Sequence, residues 1–165
     1  MRTIKLFGAL FLLSCSSPPD LGSQVVVSDE LSQDTLIVLQ RGACERRCAV
    51  YNLILFSDGS AIFDGRHYVG KPGLTKTTVS REAVGKLLDE AAALKFFDLP
   101  EKYVPGSPGC NAAPSDAPTA VLTISARGRT KTVLHHLACK TGDAGKLAAL
   151  EEKIDKTLNT VRWVK

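Results

Sequence analysis

Four cysteines, Cys44, Cys48, Cys110 and Cys139, are the side chains whose chemistry the sequence defines best. In an exported chain, which the N-terminal residues described below indicate, an even number of cysteines favours disulfide bonds, and four cysteines allow three pairings. We favour Cys44–Cys48 and Cys110–Cys139. The first bond requires a tight turn, because four residues of strand would separate the Cα atoms by about 13 Å, whereas a disulfide needs about 4.4–6.8 Å. The second bond would join a Pro/Gly-rich stretch to the end of a strand.

Two other uses of these cysteines compete with disulfides. Cys44, Cys48 and Cys139, with His135 or His136, have the donor types of a zinc site, but such cysteines are usually found in reducing compartments. A redox or nucleophilic cysteine is disfavoured because the spacing is Cys-x-x-x-Cys rather than Cys-x-x-Cys. We therefore expect no metal ion and no cofactor.

The N-terminal residues indicate export. Arg2 and Lys5 precede an apolar run at 6–13. As a helix this run would span about 12 Å, against about 30 Å for the core of a bilayer. The pattern is typical of a signal peptide rather than a membrane-spanning helix.

The fifth cysteine, Cys15, follows Leu12-Leu13-Ser14 in the pattern of a bacterial lipobox. At such a site the cysteine thiol receives a diacylglyceryl group, and the chain is then cleaved before the cysteine. An ordinary cleavage site with an incidental cysteine is the alternative. We expect a lipoprotein signal peptide at 1–14, a lipidated cysteine with a flexible tether at 15–34, and a single α+β domain at 35–165.

Composition and charge limit the classes of protein. The chain has 165 residues, 44% of them hydrophobic and 23% charged, which excludes disorder, collagen-like repeats and coiled coils as overall descriptions. The formal net charge is +4, and without Arg2 and Lys5 of the signal peptide it is +2. This excess is too small to indicate nucleic-acid binding, so we expect no nucleic-acid partner.

Arginines around the first cysteine pair form the candidate binding surface. Arg41, Arg46 and Arg47 flank the expected cystine turn, and Tyr51 follows it. Guanidinium groups on a rigid loop suit phosphate or carboxylate groups, although exposed arginines are often only solvated. Asp116, in the segment Asp116-Ala117-Pro118-Thr119, is a further candidate for this surface.

Candidate catalytic residues are few, and we assign none. His135 and His136 are adjacent in a predicted strand and should point to opposite faces, so they cannot converge on one substrate or metal. A solvated or hydrogen-bonded role is favoured for them. The neighbouring carboxylates Glu151 and Glu152 are expected to lie on the solvated face of a helix.

The apolar pattern predicts strands first and helices later. Residues 50–56 alternate, with Tyr51, Leu53 and Leu55 on one face. Ser57-Asp58-Gly59-Ser60 indicates a hairpin turn. The further predicted strands are 35–40, 61–64, 74–79, 119–126 and 130–137.

Two helices complete the predicted domain. Ser80 is the expected N-cap of the first, and Pro100 is expected to end it after Phe96-Phe97-Asp98-Leu99. The second begins at Thr141 or Asp143 and continues to the C-terminus with an apolar face of Leu147, Leu150, Ile154, Leu158 and Val161. The fold class predicted is α+β: a mainly antiparallel sheet with both helices on one face, a two-layer sandwich stapled by disulfides.

A series of short motifs, taken in their order along the chain, resembles the sequence pattern of a known family. They are Cys44-x-x-x-Cys48-x-x-Tyr51, Asp58-Gly59, Gly65, Phe97-Asp98-Leu99, Tyr103 and Asp116-x-Pro118-Thr119. Over about residues 35 to 160 the chain resembles a bacterial family of small exported and lipoprotein domains known as domain of unknown function 6438. Arg46 and Ala49 stand where the family motif has glycine and proline. The resemblance implies the architecture and supplies no catalytic residues.

The sequence therefore favours a lipid-anchored cell-envelope domain that binds or scaffolds a partner and is not an enzyme. It would be held in the cell membrane or outer membrane, facing the periplasm or exterior, and its partner would be an envelope protein or an anionic polymer. One alternative is a small hydrolase or metal-dependent enzyme using His135 or His136 with Asp116. Another is an inhibitor of a secreted hydrolase.

Overall fold

Residues 35–110 and 116–165 are described by the computed structural model, and all of them belong to one unit at 31–165. The predicted signal peptide, Cys15 and the tether lie outside the described residues. The strands that these residues form are β1 Thr35–Arg41, β2 Val50–Phe56, β3 Ser60–His67, β4 Gly73–Thr78, β5 Lys102–Tyr103, β6 Thr119–Ala126 and β7 Arg129–His136. The α-helices are α1 Arg81–Ala93, α2 Gly142–Leu158 and α3 Val161–Val164.

The strands within the described residues form one seven-stranded sheet in the order β4-β3-β2-β1-β6-β7-β5. Every neighbouring pair is antiparallel except β5 and β7. The sheet is therefore mainly antiparallel, and with α1 and α2 the predicted α+β class is confirmed. The two-residue β5 was not predicted, because its position depends on pairing with residues more than thirty positions away, Leu134 and His135.

Local sequence explains the hairpin between β2 and β3. Asp58 Oδ1 accepts hydrogen bonds from the backbone N–H of Ser60 at 2.7 Å and from its hydroxyl at 2.6 Å. Gly59 has a φ of +91°, which an L side chain rarely adopts. β3 then runs to His67, three residues beyond the predicted end at 64.

The first helix begins as predicted and ends earlier. Ser80 Oγ accepts from the backbone N–H of Ala83 at 3.1 Å, which confirms the N-cap. The helix stops at Ala93 because Lys95 has a left-handed φ of +55°, and Phe96–Asp98 form a separate 3₁₀ turn. The prediction of a helix running to Pro100 was wrong.

The second helix is broken before the C-terminus. Asn159 takes a left-handed conformation, with a φ of +52°, and ends α2; a short α3 follows. This break turns Val161 out of the apolar stripe, and its side chain is 50% exposed. The expectation that Val161 lines the core face of one continuous helix was therefore wrong.

The core lies between the helices and one face of the sheet. Tyr51, Leu53 and Leu55 of β2 point into it, as the alternation predicted. Near the β3 side of the core, Tyr51 and Phe63 have ring centroids 5.3 Å apart, and Phe63 lies 4.8 Å from Trp163 of α3. This aromatic row packs the short C-terminal helix against the sheet.

Both favoured cysteine pairs are present. Cys44 and Cys48 have Cα atoms 5.7 Å apart, and Cys110 and Cys139 have Cα atoms 5.0 Å apart; each pair is disulfide-bonded. The three residues between Cys44 and Cys48 form the required tight bend. The second bond ties the segment before β6 to the connection between β7 and α2.

Candidate functional site

A groove opens at the end of the sheet where β1 finishes and β2 begins. One part of it is a depression of about 270 Å³ lined by Arg41, Cys48, Tyr51, Thr119, Leu137 and Val164, among others. A second depression of about 430 Å³ shares Tyr51 and Val164 and extends along Asp155, Thr160 and Val161. We call these two adjoining depressions the Tyr51 groove.

Backbone hydrogen bonds hold the walls of the groove together. The N–H of Gly42 donates to the carbonyl of Thr119 at 2.8 Å, and the N–H of Leu137 donates to the carbonyl of Pro118 at 2.9 Å. These bonds place the cystine turn beside the segment that precedes β6. The groove therefore joins parts of the chain that are about seventy residues apart in the sequence.

Arg41 and Tyr51 form the floor of the groove. They lie opposite each other in the β1–β2 ladder and both reach Asp155 of α2. Arg41 donates to Asp155 Oδ2 from Nη2 at 2.7 Å and from Nε at 3.1 Å. The Tyr51 hydroxyl donates to Asp155 Oδ1 at 2.7 Å, and Thr160 Oγ1 donates to the same oxygen at 3.1 Å. Asp155 thus accepts hydrogen bonds from β1, from β2 and from the connection between α2 and α3.

Below the floor of the groove, Arg41 is linked to further charged side chains that lie in the core. Arg41 Nη1 donates to Glu151 Oε2 at 3.0 Å, and Glu151 Oε1 lies 3.1 Å from His135 Nδ1. His135 Nε2 lies 2.9 Å from the carbonyl oxygen of Cys139. We call Arg41, Tyr51, His135, Glu151 and Asp155 the buried charge network.

Glu151 corrects an expectation from the sequence. Its side chain is fully buried and paired with Arg41 and His135, whereas it was expected to be solvated together with Glu152. Glu152 is exposed, as expected. Glu151 lies four residues after Leu147 and seven before Leu158, in the middle of the apolar stripe. A carboxylate at such a position indicates a buried partner, and this signal was present in the sequence.

The network raises the pKa of Arg41, His135 and Tyr51, which favours the charged forms of Arg41 and His135 and the neutral form of Tyr51. Burial alone would lower the pKa of His135, but its hydrogen bonds to Glu151 and to the Cys139 carbonyl raise the pKa overall. Both ring nitrogens face acceptors, so both carry hydrogens when both bonds are made. Burial also opposes the charge of Arg41, and the Asp155 and Glu151 carboxylates raise its pKa. Burial, and then the neighbouring Asp155, raises the pKa of Tyr51.

The structure separates the five residues of the predicted binding surface. Arg41 and Tyr51 line the groove, but Arg41 is neutralised by two carboxylates and its side chain is only 12% exposed. Arg46 and Arg47 are exposed on the cystine turn. Asp116 is exposed just before the Pro118–Thr119 wall. Arg41 is therefore a structural part of the groove rather than a free anion-binding arginine.

The two adjacent histidines have different surroundings. His135 is inaccessible in the core, with both nitrogens bonded. His136, which pairs with Thr119 across the sheet, is 7% exposed, and its ring nitrogens have no hydrogen-bond partner among the described residues. Asp116 is not among the partners of His135. Over residues 35–110 and 116–165, no three His, Cys, Asp or Glu side chains are grouped to hold a metal ion.

Sequence reasoning did not identify Asp155, Val164 or the role of Glu151. Asp155 lies four residues after Glu151, so both carboxylates fall on one side of α2, which is a readable signal. Val164 gave no such signal, because its position depends on the break at Asn159. Among the helices in the described part of the chain, none has the length and apolarity needed to cross a membrane.

Comparison with known proteins agrees with the resemblance noted in the sequence. No curated protein matches the chain. One family model, described as "Domain of unknown function (DUF6438)", matches residues 35–158 and so covers most of the chain and all the residues of the buried charge network. The chain belongs to this family.

Proposed function

We propose that this protein is an exported bacterial lipoprotein, anchored through Cys15, whose folded domain binds a partner in the Tyr51 groove. The anchor would hold it in the cell membrane or outer membrane, with the domain facing the periplasm or exterior. The two disulfide bonds support export, because disulfides persist in oxidising compartments. Cys15 is the fifth cysteine, and it stands in the lipobox pattern.

The observation that carries the binding role is the convergence of distant segments on one concave surface. The cystine turn, the Pro118–Thr119 segment, β2 and α3 all line the Tyr51 groove. Such a groove, mainly apolar with a few placed polar groups, is the usual form of a binding site. The buried charge network and the disulfide at Cys48 stiffen its walls, which lowers the entropic cost of binding. An envelope protein is the class of partner that we propose for the groove, because Arg41 is already neutralised by Glu151 and Asp155 and offers no free charge to an anionic polymer.

A binding role agrees better with the geometry than catalysis by His135 or His136. A general base must reach the proton that it removes, but His135 is enclosed with both nitrogens bonded, and both ring nitrogens of His136 are buried. Inhibition of a secreted hydrolase is one kind of binding that fits this proposal, because a rigid cystine loop at the rim of the groove could contact the hydrolase.

The anchor is tested by intact-mass measurement of the protein taken from its native cells. We expect a chain that begins at Cys15, carries acyl chains and has no free thiol under denaturing conditions. The Cys15→Ser variant should stay unacylated, and a high-salt wash should release it from the membrane fraction but not release the acylated wild type. A full-length, unacylated wild-type chain with reduced cysteines would contradict the proposal.

The groove is tested by photo-crosslinking in living cells. A photoreactive residue at Val161, which is half-exposed in the groove, should give a discrete adduct. The same residue at Ala149, exposed elsewhere on α2, is the matched control and should give none. Excess unlabelled protein should compete the Val161 adduct away. Identical adducts at the two positions, or no adduct at Val161, would refute binding in the groove.

A further inference from the structure

Three segments meet beside the Tyr51 groove and form a second surface. They are the cystine turn at 44–48, the end of β3 with the β3–β4 connection at 66–72, and the C-terminal residues 161–165. The guanidinium carbon of Arg47 lies 6.0 Å from the centre of the Tyr68 ring. The N–H of Lys71 donates to the carbonyl of Trp163 at 2.9 Å. These contacts tie the three segments into one surface, which we call the basic end.

Positive charge is concentrated at the basic end. Its three segments contain six Lys and Arg residues and a single acidic residue, Glu45. Arg66 pairs with Asp64, and Arg162 donates to Thr77. The other four cations are exposed and form no salt bridge with a carboxylate of the described residues; they are Arg46, Arg47, Lys71 and Lys165.

Exposed apolar side chains occur at the same end. Tyr68 is 61% exposed and Val161 is 50% exposed, and both belong to the basic end. Leu74, at 75% exposed, lies just after the β3–β4 connection. Tyr68 also has a φ of +52°, a conformation uncommon for a bulky residue, and its ring is directed outward there. Two exposed large hydrophobic side chains, Tyr68 and Val161, thus lie in the same three segments as four cations that form no salt bridge within the described residues.

We propose that the basic end docks on an anionic phospholipid bilayer. Lysine and arginine near such a surface are attracted to headgroup phosphates, and each contributes roughly fivefold in affinity. Tyrosine and aliphatic side chains beside them can enter the interfacial region, where amphipathic groups are stabilised. An anionic polymer offers the same phosphate or carboxylate chemistry but no apolar layer for Tyr68 and Val161, so the bilayer is favoured. This surface adjoins the groove, with which it shares Cys48, Val161 and Val164, and it depends on the proposed function only for its location outside the cytoplasm.

Vesicle co-sedimentation of the full chain carrying Cys15→Ser tests the proposal without an acyl anchor. The probes are phosphatidylcholine vesicles with and without phosphatidylglycerol. We expect binding to increase with phosphatidylglycerol and to weaken as salt is added. Arg47→Glu with Lys71→Glu should lower the affinity for the anionic vesicles by about tenfold or more. The N-terminal residues are the same in every sample, so differences between variants report on the domain.

A charge-matched control separates local from overall charge. Arg81→Glu with Lys102→Glu makes the same change at exposed residues away from the basic end. It should change the affinity by less than about twofold, as expected for distant screened charges. Tyr68→Asn, which tolerates the positive φ, should weaken vesicle binding without changing the charge. Far-ultraviolet circular dichroism confirms that each variant is folded.

Two results would overturn the bilayer proposal. The first is equal binding of the parent and the Arg47→Glu/Lys71→Glu variant to anionic vesicles. The second is tighter binding of soluble polyphosphate than of vesicles, with no effect of Tyr68→Asn, which would assign the basic end to a polymer. Failure of lipidation at Cys15 in the intact-mass measurement leaves this test unaffected, so the two proposals fail independently.

Discussion

The carboxylate of Glu151 lies 3.1 Å from the ring of His135, and both side chains are fully buried. The other oxygen of the same carboxylate accepts from Arg41 at 3.0 Å. One side chain of α2 therefore ties β7 to β1 and connects the interior of the domain to the floor of the Tyr51 groove.

Removing the charge of Glu151 should destabilise the protein strongly. Glu151→Gln removes the negative charge that compensates the buried positive charges of His135 and Arg41. We expect a loss of about 3 kcal/mol in the free energy of unfolding. Glu152→Gln, one residue along and exposed, should change it by less than about 0.5 kcal/mol. Urea unfolding of both variants measures the difference. Equal effects of the two substitutions would show that the buried ion pairs of Glu151 contribute nothing to the free energy of unfolding.

The stability should depend on pH through His135. The raised pKa of His135 means that the folded state binds its proton more tightly than the unfolded state. The resulting stabilisation is complete below the unfolded pKa of about 6.5 and is lost as the pH rises through the higher folded pKa. The groups facing His135 are Glu151, Arg41, Tyr103 and the Cys139 carbonyl.

Urea unfolding over a range of pH measures this effect. The free energy of unfolding should fall between about pH 6.5 and alkaline pH in the wild type. In His135→Gln this component should disappear, although the variant is less stable overall. His67→Gln, at an exposed histidine, is the control and should keep the wild-type profile. An unchanged profile in His135→Gln would assign the pH dependence to other groups.

The two disulfides should differ in their contribution to stability. Cys110 and Cys139 are 29 residues apart and Cys44 and Cys48 are 4 apart, so the loops that the bonds close differ in length. The chain-entropy model gives about 3.6 kcal/mol for the longer loop and about 1.9 kcal/mol for the shorter. Paired Cys→Ala variants, compared by urea unfolding, should follow this order. The reverse order would mean that contacts of the cystine turn outweigh chain entropy.

Two helical glycines should respond in opposite ways to the same substitution. At Gly85 of α1 an added Cβ has no neighbour within 4 Å, so Gly85→Ala should stabilise the protein by about 1 kcal/mol. At Gly145 of α2 the Cβ would lie 2.5 Å from the Lys140 carbonyl oxygen. Gly145→Ala should therefore cost about 1–3 kcal/mol. Thermal unfolding should show a higher unfolding temperature for Gly85→Ala and a lower one for Gly145→Ala. A stabilising Gly145→Ala would show that the 140–145 turn can relax.

Local signals predicted much of the fold. Ser80 caps α1, Asp58 closes its turn and Tyr51 faces the core, because each depends on neighbours within a few residues. The breaks at Lys95 and Asn159 were missed, since a left-handed residue other than glycine has only a weak local signature. The parallel β5 was missed because its pairing is made across the fold.

The site was predictable only in part. Arg41 and Tyr51 were predicted to share one surface with Arg46, Arg47 and Asp116, and in the structure Arg41 and Tyr51 line the same groove as Cys48. Their contact with Pro118 and Thr119 required the order of the strands, in which β6 pairs with β1, and short-range patterns do not contain that order. The neutralisation of Arg41 likewise depended on where α2 crosses the sheet, which places Glu151 and Asp155 against it.

Trp163 is the single tryptophan of the chain and stands next to Val164 in the wall of the groove. Its indole lies against Phe63 on one side, and the Arg162 guanidinium carbon is 4.2 Å from its ring centre. Emission from this fluorophore is sensitive to nearby charge and to solvent access. The native protein therefore carries a built-in optical reporter, with which a titration can follow occupancy of the groove or attachment to vesicles without any label.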